Sequence, residues 1–322
     1  MKIQSRLEEM LEAATNKNVS DIYFFARSDN YAVQFKEAHG LNHYTELTLA
    51  LGSELINYLK YHAKMDITEH RRPQVGSFQL LGLPYFLRLS SVGDYRGQES
   101  LVMRIIYHVQ EAKYYFQEDF TSLSEICEQR GLVLTSGPTG SGKTTLMYQL
   151  AKVVGAGKIV MCLEDPVEIQ EPTFFQAQVN LEAGITYSAL LKAALRHRPD
   201  ILILGEIRDS ETAKLAVRAS LSGHLVLATV HAMSTKGAVM RMLELGVSKS
   251  ELLNSLRGLT YQRLIADSEG KLRCLVDFGS GKLLEPVVKS PSQGFFSWNE
   301  KLTKLVSGGV VSETNARKYE SG

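Results

Sequence analysis

Apolar residues in the first part of the chain follow first a helical period and then strand-like runs. Between Ile3 and Ala14 they recur every three or four residues with charged residues between them, which predicts an amphipathic helix. Further apolar segments predict a second helix and several short antiparallel strands, at 22–25, 54–63, 76–80 and 84–90. Together these elements indicate a small α+β, PAS-like domain over residues 1–110.

The pattern changes near residue 131, where short and wholly apolar runs begin to alternate with helical segments. The apolar runs lie at 132–134, 159–163, 201–204 and 225–228. The helical segments lie at 143–154, 188–196 and 211–221. Buried strands that alternate with helices are typical of a parallel sheet covered on both faces, so we predict an α/β domain over 131–266.

Two segments lack a clear period. The polar and aromatic stretch 111–130 is interpreted as a linker between the two domains. Gly, Ser and Pro interrupt the chain at 279–281 and 290–294, which predicts a loosely organised C-terminal segment over 267–322.

Composition fits a two-domain globular protein. The length of 322 residues corresponds to about two domains, and 44 % hydrophobic with 22 % charged residues excludes a disordered chain. Thirty-six basic against thirty-five acidic residues leave a net charge of +1. That balance excludes a protein that holds nucleic acid by bulk positive charge, so we expect no direct nucleic-acid binding, although a local basic patch stays open.

Cysteines and the N-terminus limit the cellular setting. Cys127, Cys162 and Cys274 are far apart and odd in number, which argues against a disulfide framework and against a zinc knuckle. We expect reduced core thiols in a cytoplasmic protein that needs no zinc. Acidic residues stand where a signal peptide has its apolar core, and no run approaches the roughly 20 apolar residues of a membrane span. Any membrane role is therefore expected to be peripheral.

A glycine-rich motif follows the first apolar run of the second domain. It fits the pattern G-x-x-x-x-G-K-[ST], with a predicted strand before it and a predicted helix after it. Its candidate nucleotide-binding residues are Gly137, Pro138, Thr139, Gly140, Ser141, Gly142, Lys143, Thr144 and Thr145. Backbone N–H groups of such a loop surround phosphates, while Lys143 is expected to reach the β- and γ-phosphates and Thr144 to hold Mg²⁺. The alternative is a glycine-rich turn with a chance lysine.

Acidic residues follow two of the predicted strands. Glu206 ends the run 201–204 plus one glycine, and Glu164 with Asp165 ends the run 159–163. Ligands of doubly wound sheets bind at the carboxyl ends of strands, so both positions face the predicted nucleotide site. Glu206 is a candidate Mg²⁺ residue, and Glu164 or Asp165 is placed to orient an attacking water. A surface carboxylate and a polar loop remain the alternatives.

Histidine and arginine side chains supply further candidates. His231 follows the run 225–228 and is either a γ-phosphate contact or an ordinary hydrogen-bonded histidine. Arg88, Arg96 and Arg104 lie in the predicted N-terminal domain. A guanidinium spreads charge over phosphoryl oxygens, so one of these arginines is either a finger supplied by another domain or a member of a surface ion pair.

The segment Leu195–Asp209, which contains the run Arg196-His197-Arg198-Pro199-Asp200 and ends Gly205-Glu206-Ile207-Arg208-Asp209, resembles the signature of the type II/type IV secretion ATPases. Glu164–Pro166 is similar to the acidic box of that family, and Ser222–His231 to its histidine box. Weaker likenesses lie in 20–22, 71–74, 88–91 and 262–264, so the resemblance spans roughly residues 18–265.

This resemblance implies a RecA-like P-loop domain with a parallel central sheet, preceded by the smaller α+β domain. It implies that Gly137–Thr145 bind ATP, that Glu164 is the catalytic carboxylate, and that Glu206 has the Walker B role through Mg²⁺. It also implies that His231 senses the γ-phosphate and that Arg88 and Arg104 complete the site on closure. Members of the family resemble hexameric rings, so we expect a homo-hexamer.

Departures from the family pattern narrow the expectation. The long extra N-terminal domain and the four-cysteine zinc module of many members are not seen, and Val92–Gly97 differs from the form in pilus motors. The chain looks most like the competence-pilus assembly branch of Gram-positive bacteria. We therefore expect an ATP-hydrolysing motor for DNA uptake. It would sit on the cytoplasmic face of the membrane through a polytopic inner-membrane platform protein.

Three alternatives stay open at this point. The same motifs fit a type IV pilus or type II secretion motor of another system. They also fit a nucleotide-gated scaffold that hydrolyses little ATP. A DNA-translocating motor would need a basic channel, and the chain offers only modest clusters such as Arg71–Arg72.

Overall fold

The structure, a computed structural model, describes residues 3–17, 19–37, 40–80, 85–107, 112–180 and 183–322. The chain forms two compact units, residues 1–108 and residues 109–322. Position 84, which begins one predicted strand, and position 111, which begins the predicted linker, lie outside the described residues.

The first unit is an antiparallel sheet with helices packed on one of its faces. Its elements are α1 (Ile3–Asn16), β1 (Asp21–Ala26), β2 (Asn30–Glu37), β3 (Gly40–Thr48), α2 (Leu49–His62), β4 (Gln74–Phe78), β5 (Tyr85–Gly93) and β6 (Glu99–Tyr107). The strand order is β3-β2-β1-β6-β5-β4. Leu7 and Leu11 of α1 are buried against inward residues of the sheet, as the helical period predicts.

The second unit is a seven-stranded sheet between two layers of helices, in the strand order β13-β12-β7-β11-β10-β8-β9. Its elements are α3 (Gln117–Cys127), β7 (Gly131–Ser136), α4 (Lys143–Val154), β8 (Val160–Glu164), β9 (Phe175–Gln178), α5 (Tyr187–Arg196), β10 (Ile201–Leu204), α6 (Ser210–Leu221), β11 (Leu225–Thr229), α7 (Gly237–Glu244), α8 (Lys249–Ser255), β12 (Leu256–Ala266), β13 (Leu272–Ser280), α9 (Leu284–Lys289), α10 (Trp298–Ser307) and α11 (Glu313–Ala316).

Alternate residues of the buried strands enter two separate cores. Ile201 and Ile203 of β10 pack with α3 and α4, whereas Leu202 and Leu204 pack with α5 and α6 on the other face. Strands buried on both faces need apolar residues at every position, which explains the uninterrupted apolar runs. The predicted α/β fold with a smaller α+β domain before it is confirmed. Most of this sheet is parallel, and the pair β12–β13 is antiparallel.

Two segments are more ordered than the pattern suggests. The stretch interpreted as a linker contains α3, whose Leu123 and Cys127 are fully buried in the core beside α4. Phe120 and Ile126 pack against the same core, so four apolar residues at helical spacing anchor this short helix among its polar residues. The loosely organised C-terminal segment was a wrong prediction, because 267–322 contains β13 and three α-helices. Helix α9 packs in the core beside α5 and α6, whereas α10 and α11 form a separate core with the buried Trp298.

The three cysteines all belong to the core beside α3 and α4. Cys127, Cys162 and Cys274 are all buried and unpaired with one another. Within the described ranges, no helix has both the length and the apolar character needed to cross a membrane.

Candidate active site

The glycine-rich loop connects the carboxyl end of β7 to the first turn of α4. Gly142 caps α4 with a left-handed φ of 85°, a conformation that glycine adopts at little cost. A Cβ on Gly137 would lie 2.6 Å from the carbonyl oxygen of Gln262 and 2.8 Å from Ser141 Oγ. The Gln262 amide also donates to the Ser141 carbonyl at 2.7 Å, so β12 supports the loop from below.

Lys143 lies inside this loop and belongs to its first helical turn. Its ammonium donates to the carbonyl oxygens of Gly137 and Pro138, each at 2.9 Å. Partial burial lowers the pKa of Lys143, and the carboxylates of Glu206 and Glu168 oppose that shift. A lysine and a helix N-terminus at one loop form a site for anionic phosphate groups.

Glu206 lies at the centre of a chain of polar side-chain contacts along the strand ends. Its Oε1 is 2.9 Å from His231 Nε2, and its Oε2 is 2.8 Å from Arg208 Nε. Arg208 continues to Asp165, with 3.5 Å between Nη1 and Oδ2. The structure thus brings Glu206, His231 and Asp165 to one edge of the sheet, as the strand-end argument predicts.

Glu164 has a different environment from Glu206. It is the last residue of β8, and only 2 % of it is exposed. Its carboxylate accepts from the hydroxyl of Tyr148 and from the backbone N–H of Glu168. Burial raises the pKa of Glu164 to about 7, although both hydrogen bonds act in the opposite direction. A carboxyl with a pKa near neutrality suits proton transfer at cellular pH.

Oxygen donors at the start of α4 fit a magnesium ion. Thr144 Oγ1 lies 3.3 Å from Glu168 Oε2, and the carboxylates of both Glu168 and Glu206 act on Lys143. Mg²⁺ takes hydroxyl and carboxylate oxygens and usually keeps waters and phosphate oxygens as its other ligands. The described residues contain no cluster of three or more His, Cys, Asp or Glu side chains arranged for a metal. Thr144, Glu168 and Glu206 supply oxygen atoms of the kind that Mg²⁺ takes as ligands.

The loop after His231 is held by the C-terminal part of the chain. Ser234 Oγ donates to Gln293 Oε1 at 2.9 Å and accepts from the N–H of Gly294 at 3.0 Å. Thr235 donates to the fully buried Asp277, which also accepts from the N–H groups of Phe296 and Ser297 at 2.9 and 2.6 Å. The C-terminal segment thus anchors the loop that carries His231.

The two arginines proposed as fingers lie side by side in the first unit. Arg88 of β5 and Arg104 of β6 are directly paired in the sheet. Arg104 Nε donates to Asp21 Oδ1 at 2.7 Å, while about half of the arginine side chain is exposed. Arg96 pairs with Asp94 in the turn between these strands. The roles of Arg88 and Arg104 toward a nucleotide stay predictions.

The model of one protein family, described as type II/IV secretion system protein, matches residues 1–295. The chain belongs to this family. The match covers most of the chain, including all the site residues named above. It confirms the family that the signature around Glu206 indicates.

Individual members of the family show how far the similarity extends. The competence protein ComGA of Streptococcus pneumoniae is 40 % identical over 98 % of this chain and 97 % of its own length. ComGA of Bacillus subtilis is 38 % identical over 82 % of this chain and 76 % of its own length. These relatives confirm the predicted likeness to the competence branch of the secretion family.

Solved structures of the same architecture show the fold. The Legionella pneumophila ATPase DotB superposes with a TM-score of 0.76 at 19 % identity, over 98 % of this chain and 95 % of that one. The pilus retraction motor PilT, solved with bound ADP, superposes with a TM-score of 0.75 at 22 % identity. This superposition covers 96 % of the present chain and 95 % of the PilT chain. At these identities the likeness concerns the fold alone.

Several polar residues of this family member's site escaped the sequence argument. Arg208, Tyr148 and Gln262 were not predicted as site residues, although Arg208 and Gln262 lie in segments that resemble the family and Tyr148 follows the glycine-rich motif. Arg208 belongs to the signature, and its spacing of two from Glu206 on a loop is a usable signal. Tyr148 contacts Glu164 of β8, and Gln262 contacts Ser141 of the glycine-rich loop. Each contact joins elements that are distant in sequence, so it is visible only after folding.

Proposed function

We propose that the protein is an ATP-hydrolysing motor that powers assembly of a competence pilus for DNA uptake. The observation that carries the proposal is the loop at Lys143 facing the chain of Glu206, Arg208 and His231 at one sheet edge. The nearly full-length similarity to competence proteins supports the cellular role. Relatives named for other transport systems, such as HofB of Haemophilus influenzae, are matched over 58 % of their own length.

The loop residues Gly137–Thr145 would bind the phosphates of ATP. Backbone N–H groups and the Lys143 ammonium supply positive potential, and the lysine exchanges its two carbonyl partners for phosphate oxygens. Thr144 and Glu206 would hold Mg²⁺, which when bound neutralises charge on the β- and γ-phosphate oxygens. Zinc has no part in this proposal.

Glu164 would act as the general base toward the attacking water. The ionised carboxylate accepts a proton from water as the water oxygen attacks the γ-phosphorus, and ADP leaves. His231 would contact the γ-phosphate, and its bond to Glu206 links that contact to the Mg²⁺ residue. Arg88 and Arg104 would neutralise phosphoryl charge that develops in the transition state.

Six copies of the chain would form a ring that passes motion to a polytopic platform protein in the inner membrane. The ring would therefore lie in the cytoplasm, peripheral to the membrane and without direct contact to DNA. The near-neutral charge of +1 supports force transmission through proteins rather than a grip on nucleic acid.

Replacement of the loop lysine tests the proposal. We expect Lys143→Ala to abolish ATP hydrolysis and transformation, because the phosphates lose their main cation. Phosphate release by the purified protein measures the effect, and Lys158→Ala, an exposed lysine of the same unit, is the control. A Lys143→Ala protein that hydrolyses ATP at the wild-type rate would contradict the proposal.

Particle mass in solution separates the motor from a scaffold. Light scattering with and without ATP is expected to give the mass of a hexamer. Phosphate release from the same sample is expected to show that the hexamer hydrolyses ATP. A stable monomer without turnover would instead favour the scaffold.

A further inference from the structure

Tyr148 connects Glu164 to a neighbouring strand and is itself wholly buried. The residue belongs to α4, and its ring packs against Phe174 with 5.5 Å between the ring centroids. Its hydroxyl donates to Glu164 Oε1 and lies 2.7 Å from Nε2 of Gln176 in β9. A buried hydroxyl between two polar side chains is a feature that packing alone does not require.

The direction of these hydrogen bonds is fixed by the surroundings of Gln176. Its Oε1 accepts from the backbone N–H of Glu171 at 2.9 Å, and its Nε2 donates to the carbonyl of Ile169 at 2.6 Å. Those two contacts assign the amide orientation. The amide nitrogen is a donor only, so the Tyr148 oxygen must accept from it. The single hydroxyl proton of Tyr148 is therefore left for its other two neighbours, the Glu164 carboxylate and the Cys162 thiol, and the ionised carboxylate is the stronger acceptor.

The same amide ties the acidic loop to this chain of hydrogen bonds. Ile169 and Glu171 belong to the loop between β8 and β9, which also carries Asp165 and Glu168. Glu171 is further fixed by Lys152, with 2.8 Å between Oε2 and Nζ. The position of the Tyr148 hydroxyl thus depends on the loop and on α4 together.

Glu164 is consequently held at two points. The Tyr148 hydroxyl and the Glu168 backbone N–H both donate to its carboxylate at the end of β8. Gly205 closes a third side, because a Cβ there would lie 3.1 Å from Glu164 Cγ. A carboxylate restrained in this way has little freedom to rotate.

We propose that Tyr148 and Gln176 are positioning residues, which orient the Glu164 carboxylate for its task as base through the directed chain Gln176 to Tyr148 to Glu164. The inference rests on the proposed function, since it takes Glu164 as the group that receives the proton of water. Tyr148 and Gln176 act through Glu164 and are assigned no contact with nucleotide.

Tyr148→Phe is the sharpest test, because it removes one oxygen and keeps the ring in the core. We expect kcat for ATP to fall on the order of 10-fold or more, part of the full effect of a general base. KM is expected to stay within about 2-fold, since the phosphate-binding loop is untouched. The matched control is Tyr114→Phe. Tyr114 is another buried tyrosine, and its hydroxyl donates to Oε1 of Gln149 in α4 at 2.6 Å.

A pH profile separates positioning from packing. Loss of a hydrogen bond to the ionised carboxylate raises its pKa, so the acidic limb of kcat is expected to move to higher pH in Tyr148→Phe but not in Tyr114→Phe. Titratable groups that also face Glu164 include Cys162, Glu168 and Tyr187, and all three are unchanged in both variants.

Gln176→Glu provides a second test that keeps size and shape. The new carboxylate only accepts, so it competes with Glu164 for the Tyr148 proton, and a reduced kcat with an altered acidic limb is expected. Wild-type kcat and an unchanged pH profile in both Tyr148→Phe and Gln176→Glu would overturn the inference. If Lys143→Ala is inactive in the same assay, the proposed function survives that outcome, whereas an inactive wild-type protein would contradict the proposed function itself.

Discussion

At the scale of single residues, the two glutamates of the site lie in contrasting surroundings. Glu206 contacts the side chains of Arg208 and His231 at the edge of the sheet, whereas Glu164 is buried and bound to a tyrosine hydroxyl. Burial disfavours the charged form of a carboxyl, and it raises the pKa of Glu164 to about 7, a value that suits proton transfer.

Glu164→Gln is expected to bind ATP and hydrolyse it slowly. Gln keeps the size and the bond from Tyr148 but does not accept a proton, so we expect kcat to fall by about 10²-fold or more. Nucleotide affinity and turnover are measured separately, with Glu244→Gln, an exposed glutamate, as the control. Loss of ATP binding in Glu164→Gln would show that this glutamate is structural.

Glu164 also predicts how stability changes with pH. Its folded pKa of about 7 lies above the ordinary value of 4.5, so the folded protein holds an extra proton between these values. Below about pH 4.5 burial of the neutral carboxyl costs nothing extra, and the penalty grows as pH rises to about 7. The wild type should therefore lose about 3 kcal/mol relative to Glu164→Gln between pH 4.5 and pH 8.

Chemical denaturation at a series of pH values measures this difference. The fluorescence of Trp298, the single tryptophan, reports unfolding of the second unit. A chelator is present in every sample to remove divalent ions. Parallel stability curves for wild type and Glu164→Gln would contradict the expected pH dependence.

Sequence position is enough to place polar side chains at the ends of strands. Glu206 and His231 follow apolar runs within three residues, and in the structure Glu206 Oε1 lies 2.9 Å from His231 Nε2. Tyr148 and Gln176 could not be found this way, because their pairing depends on how α4 packs against β9 across Glu164. Side-chain contacts between elements that are distant in sequence have no signature in a local pattern.

At the scale of elements, a strong period of apolar residues predicts helices and strands correctly, whereas a weak period does not. Helix α4 was predicted at 143–154 and is observed over Lys143–Val154, because the loop before it and the glycine after it define both ends. The C-terminal elements were missed because β13 pairs with β12 and is covered by α10, so its burial comes from partners distant in sequence. Tertiary contacts decide such segments.

Asp277 of β13 anchors these C-terminal elements to the loop that carries His231. It is fully buried and accepts hydrogen bonds from Thr235, Phe296 and Ser297. We expect Asp277→Ala to lower the free energy of unfolding by about 3 kcal/mol, since several buried donors lose their acceptor. Asp277→Asn keeps one acceptor oxygen and should cost less.

Trp298 fluorescence in denaturant measures both Asp277 variants. This tryptophan lies in α10 and donates to the carbonyl of Tyr319, so it reports the region that Asp277 holds. If Asp277→Ala has the same free energy of unfolding as the wild type, the hydrogen bonds of Asp277 do not stabilise the fold.

At the scale of the whole molecule, the chain divides its candidate chemistry between two compact units. The nucleotide-binding loop, both glutamates and His231 belong to the second unit, and Arg88 with Arg104 belong to the first. An isolated second unit would therefore lack Arg88 and Arg104, the two arginines proposed to act on the nucleotide.

Arg104→Ala is expected to reduce turnover much more than nucleotide affinity. A guanidinium that acts in the transition state is worth about 10³-fold or more in kcat. Arg96→Ala is the control, because Arg96 lies in the same unit and pairs with Asp94. An unchanged rate in Arg104→Ala would leave Arg104 as the surface partner of Asp21.

The strand order has a consequence for synthesis of the protein on the ribosome. Strand β7, which leads into the phosphate-binding loop, is flanked by β11 and β12, and these are made only with residues 225–229 and 256–261. After the loop has been synthesised, more than half of the second unit must therefore still be made before both edges of β7 have partner strands. The first unit, whose sheet is complete by Tyr107, can form early. The nucleotide site is thus a late product of translation, and premature termination before β12 yields a chain with an unpaired, apolar strand edge that favours aggregation.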